Sequence, residues 1–178
     1  VTKTMSAVAG NRALLTFPQV TEFDVMFARI LVLAVTQLVV TAIIVAVSLL
    51  FGYVFRPGDW LLALGVMILI PLCALGMGMI ITALAVFIPV LEKIVPMIFR
   101  ILFFVSGVFF SVDMFPQYIA EILMWNPMLQ AIELMRTSLH QGYGVTGLSF
   151  GYLVIFTVCS LGLGGFLERY VRSRRVDQ

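Results

Sequence analysis

Residues 30–55 read ILVLAVTQLVVTAIIVAVSLLFGYVF, about 26 positions without a single charge. An α-helix rises ~1.5 Å per residue and needs ~20 residues to cross the hydrocarbon core of a bilayer, so this stretch spans it with some tilt. Arg29 stands before it, and the tight polar turn Arg56-Pro57-Gly58-Asp59 follows it. A second apolar run, 60–87, begins at once, with Trp60 where an interfacial aromatic belongs. Pro71 interrupts this run, which is tolerated in a membrane helix because neighbours satisfy the freed carbonyl. Gly76-Met77-Gly78 has no strand before it and no Lys-Ser/Thr after it, so it reads as close helix packing and not as a phosphate loop.

The rest of the chain is organised around these two runs. Residues 1–29 are mixed, with Lys3, Arg12, Glu22, Asp24 and Arg29 among apolar positions; Pro18 breaks them, and Val20 to Phe27 read as an interfacial helix. Pro89, Glu92, Lys93 and Pro96 mark a second polar break. Residues 94–112 follow as a third, shorter span, with Arg100 and the ring-rich row Phe99, Phe103, Phe104, Phe109 and Phe110. Residues 116–140 are semi-polar: the amphipathic pieces 117–125 and 128–139 flank the breaker Asn126-Pro127. Neither piece is long enough to cross, and both can enter and leave from one side where protein covers the backbone. Residues 146–167 form the last span, and the tail holds Arg169, Arg172, Arg174 and Arg175.

Composition agrees. Hydrophobic residues make up 62% of the 178 positions and charged residues 11%, with a mean hydropathy of +1.12. A soluble domain carries about 25% charged residues. The expected fold class is therefore all-α integral membrane: a polytopic transmembrane helix bundle with re-entrant amphipathic helices before the last span. The net charge of +2 gives no support to a nucleic-acid partner. Cys73 and Cys159 lie inside apolar runs and read as small hydrophobes. No signal peptide is legible, and Val1 in place of Met suggests a fragment or a processed chain.

Lys and Arg near the span ends set the orientation. Four spans put both termini on one side, and that side carries Lys3, Arg12, Arg29, Lys93, Arg100 and the Arg-rich tail, against Arg56 and Arg136 opposite. Both termini are expected in the cytoplasm, with the amphipathic pair on the outer face.

The chemistry-bearing motifs are few. There is no G-x-x-x-x-G-K-S/T and no H-E-x-x-H, and His140 has no ligand partners at metal spacing. No catalytic residue, cofactor or metal is expected. Apart from Arg100 the spans carry no charge, which counts against ion-coupled transport and against a membrane enzyme. Arg100 either snorkels to headgroups or meets an anionic lipid-linked substrate. The Phe row either packs or lines a path for a sugar chain, whose apolar faces stack on rings. Glu133 and Arg136, three apart, pair on one helical face to hold the re-entrant turn, or else contact substrate.

Phe104-Val-Ser-Gly-Val-Phe-Phe-Ser111, Phe115-Pro116, Trp125-Asn126-Pro127, and Glu133 with Arg136 occur in an order that resembles the C-terminal half of ABC-2-type ABC transporter permeases. The stretch Gly10-Asn11-Arg12-Ala13-Leu14-Leu15, with Phe17-Pro18 and Phe27-Ala28-Arg29, is similar to the capsular-polysaccharide export branch of that family. The resemblance implies six spans per subunit, a second permease copy, and a separate ABC ATPase subunit that hydrolyses ATP. Against that pattern an N-terminal amphipathic segment and two spans are absent here, which marks the sequence as partial. It implies a coupling helix in residues 1–29, with Asn11, Arg12, Leu14, Leu15, Phe17 and Pro18 at the ATPase. The residues expected on the substrate path are Arg100, Phe103, Phe104, Phe109 and Phe110. The resemblance implies that residues 117–139 form re-entrant helices at the outer mouth, and Trp125, Asn126, Pro127, Glu133 and Arg136 are the residues expected at that gate. The expected function is a bacterial inner-membrane permease subunit moving lipid-linked capsular polysaccharide from cytoplasm to periplasm, alongside periplasmic and outer-membrane export proteins. O-antigen or teichoic-acid export, drug or lipid efflux, and a membrane-embedded transferase are the alternatives.

Overall fold

The computed structural model describes residues 1–3, 10, 21–51, 58–140 and 147–176. Among them every long element is a helix: α1 (Glu22–Leu50), α2 (Trp60–Phe87), α3 (Leu91–Val105), α4 (Gln117–Leu123), α5 (Pro127–Leu139) and α6 (Phe150–Val176), with a 3₁₀ turn at Val112–Met114. Three are long and apolar enough to cross a membrane, over Phe23–Leu50, Trp60–Phe87 and Phe150–Val171. This is the expected all-helical membrane architecture, and α2 has the bounds expected for the second run.

Local chemistry fixes the helix ends. Thr21 Oγ1 accepts the amide of Asp24 at 3.2 Å, while Asp24 Oδ2 accepts the amide and hydroxyl of Thr21 at 2.8 and 2.7 Å. This reciprocal cap starts α1 at Glu22, with no breaker before Leu50. Phe23 and Phe27, expected on a separate interfacial helix, are instead stacked on the first turns of α1 at 5.8 Å. The cap wins because nothing after Pro18 interrupts the helix. Asp59 Oδ1 accepts the amides of Leu61 and Leu62 at 3.0 and 3.1 Å and starts α2. Ser149 Oγ accepts the amide of Tyr152 at 3.2 Å and starts α6, which stays helical past Leu167 to Val176.

The third run departs from its expected form. Helix α3 covers Leu91–Val105. Its 15 residues reach about 22 Å, short of the ~30 Å hydrocarbon core. The chain leaves the helix at Ser106 and Gly107, where φ is +75°, so 106–112 are not the helix expected there.

Two compact units share the chain. The first comprises Val1–Leu33, Pro71–Arg100 and Ile155–Gln178; the second comprises Ala34–Ile70 and Ile101–Val154. In the first unit Met26, Ile30, Leu75 and Met79 form a core with Ala74 and Leu161 against it. There α2 and α6 touch through glycine: a Cβ at Gly76 would lie 2.6 Å from Ser160 Oγ and 2.7 Å from the Leu161 nitrogen, and one at Gly164 would lie 2.9 Å from the Gly76 carbonyl. Close backbone approach is how membrane helices gain dispersion contacts where lipid offers no hydrophobic drive. In the second unit Val66, Ala131, Leu134 and Leu153 form the core, so α5 packs on the start of both α2 and α6. The amides of Gly58 and Asp59 donate to the Ser138 carbonyl at 2.9 and 3.2 Å and tie the end of α5 to the start of α2.

Candidate functional site

The helices α4 and α5 match the two amphipathic pieces expected around Asn126-Pro127. Pro127 has no amide hydrogen and takes the first position of α5. Asn126 precedes it with an extended backbone, and its Oδ1 accepts the amide of Met128 at 3.0 Å. Helix α4 ends at Leu123 and α5 restarts at Pro127, so the reversal occupies only Met124, Trp125 and Asn126. Gln130 closes it: Nε2 donates to the Met124 carbonyl at 3.1 Å, and Oε1 accepts the amide of Ser149 at 3.1 Å. The Tyr152 hydroxyl donates to the Trp125 carbonyl at 2.6 Å. The reversal is thus tied to α5 and to the start of α6, while the Trp125 ring remains exposed.

Glu133 and Arg136 do pair, at 2.7 Å. They hold the segment after α3. Glu133 is fully buried and its Oε1 accepts the amide of Val112 at 3.3 Å. Arg136 Nη2 donates to the Gly107 carbonyl at 3.0 Å, and Nη1 reaches the Phe110 carbonyl at 3.4 Å. One carboxylate and one guanidinium therefore partner an amide and two carbonyls of a stretch that has no helical ladder. Irregular backbone at membrane depth requires such partners, because an unpaired polar group in an apolar medium costs several kcal/mol, roughly. The planar five-donor fork of Arg serves two carbonyls and a carboxylate together, which the Lys ammonium does with less geometric definition.

This fold-back gathers three rings. Phe109 stacks on Phe104 at 5.9 Å and 20°, and Phe103 meets both edge-on at 5.8 and 6.0 Å. All three are exposed, Phe109 most at 70%. Phe110 turns elsewhere and packs edge-on against Phe115 at 4.9 Å. Arg100 is exposed on α3, one turn before Phe103 and Phe104. The expected coupling residues Asn11, Arg12, Leu14, Leu15, Phe17 and Pro18 lie outside the described residues.

Gln130, Gly107, Ser106 and Tyr152 were not singled out from sequence. Ser106 Oγ donates to the Leu102 carbonyl at 2.5 Å, ending α3, and Asn126 Nδ2 lies 3.4 Å from it. The available signal was the series Asn126, Gln130, Glu133, Thr137, a polar stripe at helical spacing along α5.

Three helices long and apolar enough to cross a membrane, with no strand among the described residues, fit a polytopic α-helical membrane protein. Residues 12–140 match the sequence profile of the ABC-2 type transporter family, and the chain belongs to that family. It is 26% identical over 167 residues to the polysialic acid transport protein KpsM of Escherichia coli, covering 94% of this chain and 65% of that protein. It is 28% identical over 162 residues to the capsule polysaccharide export inner-membrane protein BexB of Haemophilus influenzae, covering 91% and 61%. Against the protein CtrC of Neisseria meningitidis, named for the same export role, identity is 26% over 132 residues, covering 74% and 50%. The chain thus spans less than two thirds of the length of these relatives.

Proposed function

We propose that this chain belongs to the membrane-spanning subunit of an ATP-driven exporter that carries lipid-linked capsular polysaccharide from cytoplasm to periplasm. What carries this is similarity along nearly the whole chain to proteins named for capsule polysaccharide export, within an ABC-2 family match. The subunit works with a separate ABC ATPase and a second permease copy, in the bacterial inner membrane. Both termini face the cytoplasm, as the Lys and Arg distribution favours. On this topology α3 crosses together with the clasped stretch 106–112, and Phe103, Phe104 and Phe109 offer stacking faces to a passing sugar chain. ATP binding and hydrolysis act through the loop containing Asn11 to Pro18.

Deleting the gene tests the proposal. Surface polysaccharide is expected to disappear while lipid-linked polymer accumulates inside, and plasmid-borne expression restores the surface. Unchanged surface polymer with altered efflux of drugs or lipids overturns it in favour of that kind of export. Loss of the polymer without internal accumulation points to a biosynthetic transferase. With export established, Phe109→Leu tests the ring contact through reduced surface polymer at normal protein level. A reporter after Gln178 is expected in the cytoplasm and one at Gly58 in the periplasm. Cys at Arg12 or Leu15 is expected to cross-link to the ATPase.

A further inference from the structure

We propose that Glu133 and Arg136 are positioning residues for the exposed aromatic cluster, setting where the Phe109 ring stands by fixing the backbone on both sides of it. This rests on the proposed function only for what the cluster does, not for the placement itself.

The chain from Gly107 to Val112 has no ladder of its own. Its fold-back begins at Gly107, whose φ of +75° favours glycine. Arg136 holds the carbonyl two residues before Phe109 and the carbonyl of the residue after it, at Gly107 and Phe110. Glu133 holds the amide of Val112, three residues after Phe109. The Phe109 side chain is 70% exposed, stacks on Phe104 and meets Phe103 edge-on. Its own contacts are therefore few, and backbone restraint decides its position. Glu133 is fully buried and Arg136 26% exposed, so the carboxylate faces the segment and not the space in front of the rings. Direct contact between Glu133 and a passing ligand has no opening in this arrangement. Any shift of α5 along its axis is transmitted to Phe109 through these three hydrogen bonds, which couples the re-entrant helix to the ring cluster.

The test uses the intact gene product in native membranes or nanodiscs with its ATPase, with 4-fluorophenylalanine placed at position 109. Fluorine resonance at 109 senses the ring current of Phe104, and Phe104→Leu in the same background defines the signal without it. In Arg136→Lys, which keeps the charge but not the fork, the resonance is expected to move most of the way to the Phe104→Leu position and to broaden. Glu133→Gln keeps an acceptor for Val112 and is expected to move it less. A resonance unchanged in Arg136→Lys overturns the proposal. Should Arg136→Lys not accumulate in the membrane, Gly107→Ala serves instead. Its Cβ has room, with nearest contacts of 3.5 to 3.7 Å, and only the backbone angle is opposed, so an unmoved resonance there also overturns the proposal. If the resonance moves in Arg136→Lys while Phe109→Leu leaves export intact, ring placement by the clasp stands and the ring contact with polysaccharide falls.

Discussion

The two units solve the same packing problem with different materials. In the first, α2 and α6 approach until a Cβ at Gly76 would meet Ser160 and the Leu161 backbone below 3.0 Å. The groups at that crossing are small, and each backbone keeps its own helical ladder. In the second, the backbone itself departs from helix after Val105 and again between Leu123 and Pro127. There side chains replace the missing ladder: Glu133, Arg136 and Gln130 reach carbonyls and amides up to 29 residues away. Regular helices can be joined by removing atoms. Irregular backbone in an apolar medium must be met by added polar groups, each with its partner. The first arrangement tolerates no growth at the contact, and the second tolerates no loss of a partner.

Glu133→Ala is expected to have the largest effect, because it leaves the Arg136 guanidinium without its carboxylate and the Val112 amide without an acceptor. Removing one member of a buried ion pair costs about 3–5 kcal/mol. Thermal unfolding in detergent and the protein level in membranes read it. The charge-exchanged pair Glu133→Arg with Arg136→Glu sharpens the comparison. It keeps an i,i+3 ion pair but sets a carboxylate against the carbonyls of Gly107 and Phe110. No recovery over the single changes is expected. Substantial recovery would mean that the two charges matter to each other and not to the backbone they hold.

Gly76→Ala comes next and acts on the first unit. The added methyl collides with backbone, which cannot swing aside as a side-chain tip does. Overpacking of this kind costs about 1–3 kcal/mol. Gly162→Ala on α6 is the internal comparison, since nothing lies within 4 Å of its Cβ. There the change is expected to be neutral or slightly stabilising, through helix propensity alone. Equal effects at Gly76 and Gly162 would remove the helix contact as the cause.

How much of this was legible divides along the same line. The second span and the breaker at Asn126-Pro127 were readable to within a residue or two, because charge, length and Pro are local signals. The start of α1 was also local: Thr21 and Asp24 carry a cap at the right spacing, and it outranked the polar look of residues 21–29. The end of α3 was not legible by hydropathy, since Phe109, Phe110 and Val112 look as apolar as a continuing helix. Gly107 after Ser106 was the available stop signal, of the kind that ends helices with a left-handed residue. The Glu133–Arg136 pair followed from spacing, but its targets did not. They are carbonyls and an amide, present at every position, so no residue type distinguishes Gly107 or Phe110 as a partner.

The smallest expected effect lies at the reversal and separates two contributions of a single side chain. Asn126 Oδ1 caps α5 through the Met128 amide at 3.0 Å, and its Nδ2 lies 3.4 Å from Ser106 Oγ, a long contact. Asn126→Ala removes both and is expected to cost about 1 kcal/mol, the usual loss for an N-cap. Asn126→Ser keeps an oxygen for the cap and is too short to reach Ser106. It is expected to retain most of the stability, because a donor–acceptor distance of 3.4 Å lies beyond the usual hydrogen-bond range and adds little. A serine variant as unstable as the alanine variant would show that the link from α5 to the end of α3 matters more than the cap. The reversal would then depend on the same long-range partnering as Glu133 and Arg136, and would lose its standing as a locally specified turn. Unfolding midpoints of the three proteins in one detergent decide it, with Pro127 unchanged so that the first position of α5 stays fixed.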